Sequence, residues 1–287
     1  MKQGIVLLAL SLSAVQAGAA QPTGSFVTVD PGVQLYVQQL GTGQPVIFVP
    51  GWTMTGDFFQ KQLPVFAQQY RAVTFDPRGQ GRSTKTTLGS TYAAHGVDLS
   101  RLMNRLGLKN VLLVGWSYGC LDAYSYLHQF GTRNVKAFVC VDQTPKSLGL
   151  TSDAWAEGDA ATLAGLTQSL APSHGAFMAG YAEYMLGRKN KAEIDWVVQQ
   201  SLKTPNSVAR LLFADGTARD YSQTARNVSK VIPTLALVRQ DWSAAALKWL
   251  GANTPAAKTA VVPNHMAFWT EPGQFNRLLQ GFFDTLR

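Results

Sequence analysis

Residues 115–119 read Gly-Trp-Ser-Tyr-Gly, at the end of the run VLLVGWSYGC (111–120). A serine between two glycines, each one residue removed, follows four apolar residues and precedes a helix-like stretch, LDAYSYLHQF. That context suits a nucleophile on a sharp strand-to-helix turn. Gly115 and Gly119 remove the Cβ atoms that would clash there, Ser117 is lifted to the end of a strand, and the amide of Tyr118 can face a developing oxyanion. A serine hydroxyl is a poor nucleophile without a base. Of the four histidines, His265 in VVPNHMAFW follows an apolar strand-like run and lies close to the C-terminal helix. His95 and His128 fall within helical stretches and His174 within a long insertion, where a surface or core role is expected.

The base needs an acid to orient it. Asp241, in LVRQDWS, follows the run 234–238 and leaves room for one helix and one strand before His265. The order Ser117, Asp241, His265 is the one this arrangement calls for, and Asp241 is the expected acid. Asp142, which closes the run 135–141 in CVDQTP, is the rival; its alternative role is to bond backbone amides at the mouth of the insertion. Asp76, in DPRGQGRS, reads as a turn organiser. A second oxyanion donor should come from the loop VPGWTMTGDFF (49–59), where Gly51 permits a sharp turn and the amide of Trp52 is the natural donor.

The elements that must position these groups are short apolar runs at helix-length intervals. SFVTV (25–29) and VQLYVQQL (33–40), joined by Asp30-Pro31-Gly32, predict a hairpin. The runs 45–49, 72–75, 110–114, 135–141, 234–238 and 259–262 are continuously apolar, as strands of a parallel sheet covered on both faces are. Amphipathic stretches at 92–106 and 275–286 read as helices. The predicted fold class is therefore α/β, with right-handed crossovers. About ninety residues separate Val141 from Thr234 without a convincing strand. Helix-like pieces near 152–170, 174–187, 191–202 and 205–217 predict a helical insertion over 146–228, between core segments 21–145 and 229–287.

Residues 1–20 differ from the rest. Lys2, an apolar run from Ile5 to about Val15, and Ala17-Gly18-Ala19 read as a secretory signal peptide cleaved near Ala19-Ala20 or Ala20-Gln21, which implies an exported protein, periplasmic or secreted. No later stretch is apolar enough to predict stable membrane insertion. The formal charge of +8 is scattered, with one tight cluster at Arg188, Lys189 and Lys191, so nucleic acid is not an expected partner. Four dispersed histidines and two cysteines offer no metal-ligand spacing, and no cofactor is expected. Cys120 and Cys140 lie in apolar segments and read as two buried thiols in preference to a disulfide.

Together PVIFVPGWTMTGDFF, AVTFDPRGQGRS, VLLVGWSYG, PTLALVRQD and NHMAFWTEPGQFN resemble the α/β-hydrolase superfamily, in particular small serine esterases and cofactor-free haloperoxidase-like hydrolases with a helical cap. The resemblance runs from about residue 24 to the C-terminus and is weakest in the insertion. It implies an eight-stranded, mostly parallel sheet flanked by helices, a cap over the pocket, a triad at Ser117, His265 and Asp241, and oxyanion amides at Trp52 and Tyr118. The chain departs from the family pattern at Pro50-Gly51, Asn264-His265 and Cys120, none of which removes a catalytic group. Serine at position 117 disfavours the epoxide-hydrolase and haloalkane-dehalogenase branches, which use aspartate.

The activity expected is hydrolysis of carboxylic esters or lactones with small to medium apolar acyl groups. The alternatives are a slow-turnover binding or signalling protein, and perhydrolase or haloperoxidase-like chemistry. Trp116, Met266 and Phe268 are expected to line the pocket. Trp52, Met54, Phe58, Phe59 and Trp269 are further candidates, as are Phe177, Met178, Tyr181, Tyr184, Met185 and Phe213 from the insertion.

Overall fold

A computed structural model describes residues 22–151 and 154–287; residues 1–20, expected to be a signal peptide, lie outside the described residues. Eight strands form one sheet: β1 (Thr23–Asp30), β2 (Val33–Leu40), β3 (Pro45–Val49), β4 (Arg71–Phe75), β5 (Val111–Trp116), β6 (Val135–Val141), β7 (Thr234–Arg239) and β8 (Lys258–Val262). Their spatial order is β1-β2-β4-β3-β5-β6-β7-β8. β1 and β2 form the expected hairpin, closed at Pro31-Gly32 with Gly32 at φ +72°. β2 pairs antiparallel with β4, and every later pair is parallel. Burial follows position: β3, β5 and β7 are buried along their length, whereas the edge strands β1 and β8 are largely exposed.

The helices are α1 (Leu63–Phe66), α2 (Tyr92–Arg105), α3 (Gly119–Phe130), α4 (Ala160–Ser169), α5 (His174–Leu186), α6 (Lys191–Ser201), α7 (Asn206–Thr217), α8 (Ser222–Val231), α9 (Ser243–Asn253), α10 (Ala267–Thr270) and α11 (Pro272–Asp284). Helix α2 starts where the Thr91 hydroxyl accepts from the Ala94 amide, a cap that satisfies an otherwise orphaned donor. Side chains alternate across the parallel strands. Phe48 of β3 therefore meets Phe66 of α1 on one face, and Phe138 of β6 meets Tyr124 of α3 on the other. Phe283 of α11 joins Phe66 and Tyr70 on the first face. On the second, α2 packs on α3 and α3 on α8, and Arg226 of α8 reaches Asn253 of α9.

Helices α4 to α7 occupy the expected insertion. The predicted boundary at residue 228 falls inside α8, a helix with few apolar residues that rests on α3 and belongs with the sheet-flanking layer.

One expectation is corrected here. Cys120 and Cys140 form a disulfide, with Cα atoms 5.5 Å apart, so neither cysteine is a free thiol. Gly115 of β5 pairs with Cys140 of β6, and α3 starts so close to Gly115 that a Cβ there would lie 2.8 Å from Cys120 Cα, an approach that sequence separation does not reveal. The bridge closes a span of 20 residues. Replacing both cysteines by alanine should cost about 3 kcal/mol of stability, from the loop entropy released to the unfolded chain. Equilibrium urea unfolding of the wild type and the double variant measures the difference.

Candidate active site

The turn after β5 is as tight as its glycines require. A Cβ on Gly119 would lie 2.3 Å from the carbonyl oxygen of Val49, and one on Gly115 would lie 2.6 Å from that of Gly119. Helix α3 can therefore start directly beneath the end of β3 only with glycine at both positions. Ser117 sits between them at φ +54°, its amide donating to Val141 O at 2.9 Å. Of the four non-glycine residues at positive φ in the described chain, three are at this site: Thr53, Ser117 and Asp142. Such backbone costs on the order of 1–3 kcal/mol per residue and persists only where its surroundings hold it.

His265 follows β8 and is 3% exposed. Its carbonyl accepts from Trp116 Nε1 at 2.8 Å, and the next amide, that of Met266, donates to Met185 O of α5 at 3.1 Å. His265 Nδ1 lies 2.6 Å from Asp142 Oδ2. A carboxylate at Nδ1 fixes the proton there and leaves Nε2 as a lone pair. His265 Nε2 is buried without a protein partner, and His265 and Ser117 line one cavity of about 290 Å³.

Asp142, not Asp241, thus orients the histidine. Asp142 is fully buried. Besides His265, its carboxylate accepts from the Arg239 amide and from Arg239 Nη1, both at 2.9 Å. Burial pushes the carboxyl up, but the His265 hydrogen bond, with the charge of Arg239 and the Arg239 amide's hydrogen bond, outweighs it and holds Asp142 below the ordinary carboxylate range. The backbone role weighed for Asp142 is also present, in its bond to the Arg239 amide. Asp241 is turned outward: its side chain is 56% exposed, accepts from Tyr184 Oη at 3.0 Å and pairs with Arg239 Nε at 2.9 Å. The reason is steric and electrostatic. β7 ends in Arg239, whose guanidinium enters the space between β7 and Asp142 and lies 3.4 Å from the Trp242 ring centroid. Asp241 is left on its far side. An arginine closing the apolar strand LALVR was the available signal, since a buried cation needs a buried anion.

The loop after β3 brings Gly51 against Ser117: a Cβ there would lie 3.0 Å from Ser117 Cβ. Trp52 and Tyr118 line the same cavity as Ser117. This loop is bonded to the insertion. Trp52 Nε1 donates to Ala209 O at 2.7 Å, Thr53 Oγ1 and Ser201 Oγ lie 2.7 Å apart, and Thr55 Oγ1 donates to Gln200 Oε1 at 2.9 Å. Asp76 fixes the neighbouring turn as expected, accepting from the amides of Gly56 and Arg82.

Trp116, Trp52, Met54, Phe177, Tyr181, Tyr184, Met185 and Phe213 line the cavity. Met266 and Phe268 do not. Both are fully buried in the core, because α10 turns inward directly after His265 and packs Phe268 against Phe59, Trp116 and Phe275. Phe58 and Phe59 are likewise core residues, and Met178 and Trp269 are buried away from the cavity. Sequence reasoning missed three polar cavity residues, Gln143, Glu157 and Arg239. Among the described residues no three His, Cys, Asp or Glu side chains gather as a metal site.

Sheet order, nucleophile turn and histidine geometry define a recognisable class. A family model described as the alpha/beta hydrolase fold matches residues 44–180, and the chain has the α/β-hydrolase fold. A Synechocystis protein assigned as a non-heme chloroperoxidase is 26% identical over 270 residues, covering 87% of this chain and 95% of that one. Among solved structures, a bromoperoxidase from Bacillus anthracis superposes with TM-score 0.84 at 22% identity, covering 91% of this chain and 100% of that chain. An esterase from Exiguobacterium antarcticum does so with TM-score 0.81 at 20% identity, covering 91% and 99%. At these identities the two structures speak to the fold.

The Asp142 environment has a consequence for acid stability. Its folded pKa lies below the unfolded value of about 3.9. Its stabilisation is therefore present above about pH 4 and is lost as the pH falls through the folded value. Asp142→Asn should flatten the decline in stability below about pH 4, read by urea unfolding over the acid range.

Proposed function

We propose that the protein is an exported serine hydrolase that cleaves carboxylic esters or lactones with small to medium apolar acyl groups. One observation carries this reading: His265 gives Nδ1 to a buried carboxylate and presents an unpartnered Nε2 to the cavity that holds Ser117. In the proposed reaction Ser117 Oγ attacks the substrate carbonyl and its proton passes to His265 Nε2. Asp142 stabilises the imidazolium so formed, and the amides of Trp52 and Tyr118 receive the oxyanion. Collapse transfers the proton to the leaving alcohol and leaves an acyl-serine. Water activated by the same imidazole then releases the acid. The aromatic wall formed by Trp52, Phe177 and Phe213 favours an apolar acyl chain.

A second reading rests on the likeness to proteins named as chloroperoxidase and bromoperoxidase. The same acyl-serine attacked by hydrogen peroxide in place of water yields a peracid, which oxidises halide outside the site. Both readings need Ser117, and the ratio of hydrolysis to peracid formation at a fixed peroxide concentration separates them.

Ser117→Ala should abolish turnover of an activated ester and labelling by a fluorophosphonate without loss of fold. Asp142→Asn should lower kcat by roughly three to four orders of magnitude, since an asparagine lets the ring take the wrong tautomer. Asp241→Asn should stay within a few-fold of wild type, as expected of an exposed residue away from the reacting atoms. A fully active Asp142→Asn would sink the assignment. Export is checked by N-terminal sequencing of the mature chain, which should begin near Ala20 or Gln21; an intact Met1 on the mature product would contradict it.

A further inference from the structure

Glu157 lies in the insertion, in the segment that leads into α4, and faces the same cavity as Ser117 and His265. Both of its oxygens are engaged. Tyr118 Oη donates to Oε2 at 2.6 Å, and Gln143 Nε2 donates to Oε1 at 2.6 Å. Tyr118 is the residue after Ser117, and Gln143 is the residue after Asp142. One carboxylate therefore grips the chain immediately past the nucleophile and immediately past the acid, and those two residues, Ser117 and Asp142, are both held at φ +54°. Strained backbone of this kind persists only when neighbouring contacts over-determine it.

The gripping group is itself anchored. The Glu157 amide donates to Ser147 O at 2.9 Å, and the next residue, Gly158, forms a bridge with Leu148. On the far side, the Tyr118 ring stacks on Phe213, and Gly216 approaches so closely that a Cβ there would lie 2.6 Å from Tyr118 Cε2. Tyr118 can thus move only slightly as long as its hydroxyl stays bound.

We propose that Glu157 is a positioning residue for the hydrolysis described above: by joining Tyr118 to Gln143 it sets the relation between the nucleophile turn, with its oxyanion amide, and the acid that orients His265. The inference rests on the serine hydrolase reading. It assigns Glu157 no contact with the reacting atoms. Its effect belongs to the chemical step and is the same for every acyl group.

The test is steady-state hydrolysis of activated esters of graded acyl length by Glu157→Leu and Glu157→Gln, with fluorophosphonate labelling rates and melting temperatures measured alongside. Glu157→Leu should lower kcat by about tenfold to a hundredfold, the size expected when a reacting group is misplaced by a fraction of an ångström. KM should change little, the loss should be equal across the series, and labelling should slow by the same factor. Glu157→Gln should recover most of the rate, because its amide can accept from Tyr118 and donate to Gln143 once the Gln143 amide turns over. In a Tyr118→Phe background, Glu157→Leu should cost much less than it does alone. If Glu157→Leu does not fold, Tyr118→Phe breaks the same link from the other end and carries the same expectation.

A KM increase that depends on the acyl group would make Glu157 a substrate contact and overturn the proposal. So would a lowered melting temperature with kcat intact. If the wild type neither labels at Ser117 nor hydrolyses any ester, the hydrolase reading fails and takes this inference with it. Ser117-dependent hydrolysis that Glu157→Leu leaves untouched sinks this inference alone.

Discussion

A buried negative charge on Asp142 is the constraint around which the site is arranged. A carboxylate taken out of water is costly unless hydrogen bonds and opposite charge replace its hydration. Here three donors do so: His265 Nδ1, the Arg239 amide and Arg239 Nη1. Arg239, 6% exposed, is balanced in turn by Asp241 at the surface and covered by the Trp242 ring. Charge thus alternates from the interior outward, Asp142 to Arg239 to Asp241. The histidine gains a fixed tautomer because the anion beside it draws the imidazole proton to Nδ1.

The second constraint is that β5 and β6 act as a unit. Ser117 leaves one strand and Asp142 the other, and the Ser117 amide bonds Val141 across the gap. The Cys120–Cys140 bridge ties the start of α3, directly after the Ser117 turn, to β6. Neither serine nor acid can shift without distorting the adjacent strand, which is how a site on loops acquires the rigidity of a sheet.

Much of this was legible in the chain. All eight strands stand out because buried parallel strands read as unbroken apolar runs, and the hairpin because Pro-Gly sits between two alternating segments. That Ser117 and His265 would face one cavity was legible because turn chemistry and strand-end position are local properties. The carboxylate partner of His265 was not. Asp142 and Asp241 each follow a strand, and only the side on which Arg239 lies decides between them. The same holds for the disulfide, for the inward turn of Met266 and Phe268, and for Glu157, which nothing in its own neighbourhood marks. Each depends on what another segment places beside it. Helix α8 was missed for a different reason: its sequence, SQTARNVSKV, offers few apolar positions to betray a period.

The bonds between the loop after β3 and helices α6 and α7 bear on how such a protein can change. Insertions of this kind look like interchangeable lids, free to be traded for others that admit different molecules. Here the lid supplies hydrogen-bond partners to Trp52, Thr53 and Thr55, and so helps to shape the wall that faces Ser117. A transplanted lid lacking groups equivalent to Gln200, Ser201 and the Ala209 carbonyl would alter reactivity along with selectivity. Divergence by gradual replacement of cavity side chains keeps the two separable, whereas wholesale exchange of the lid does not.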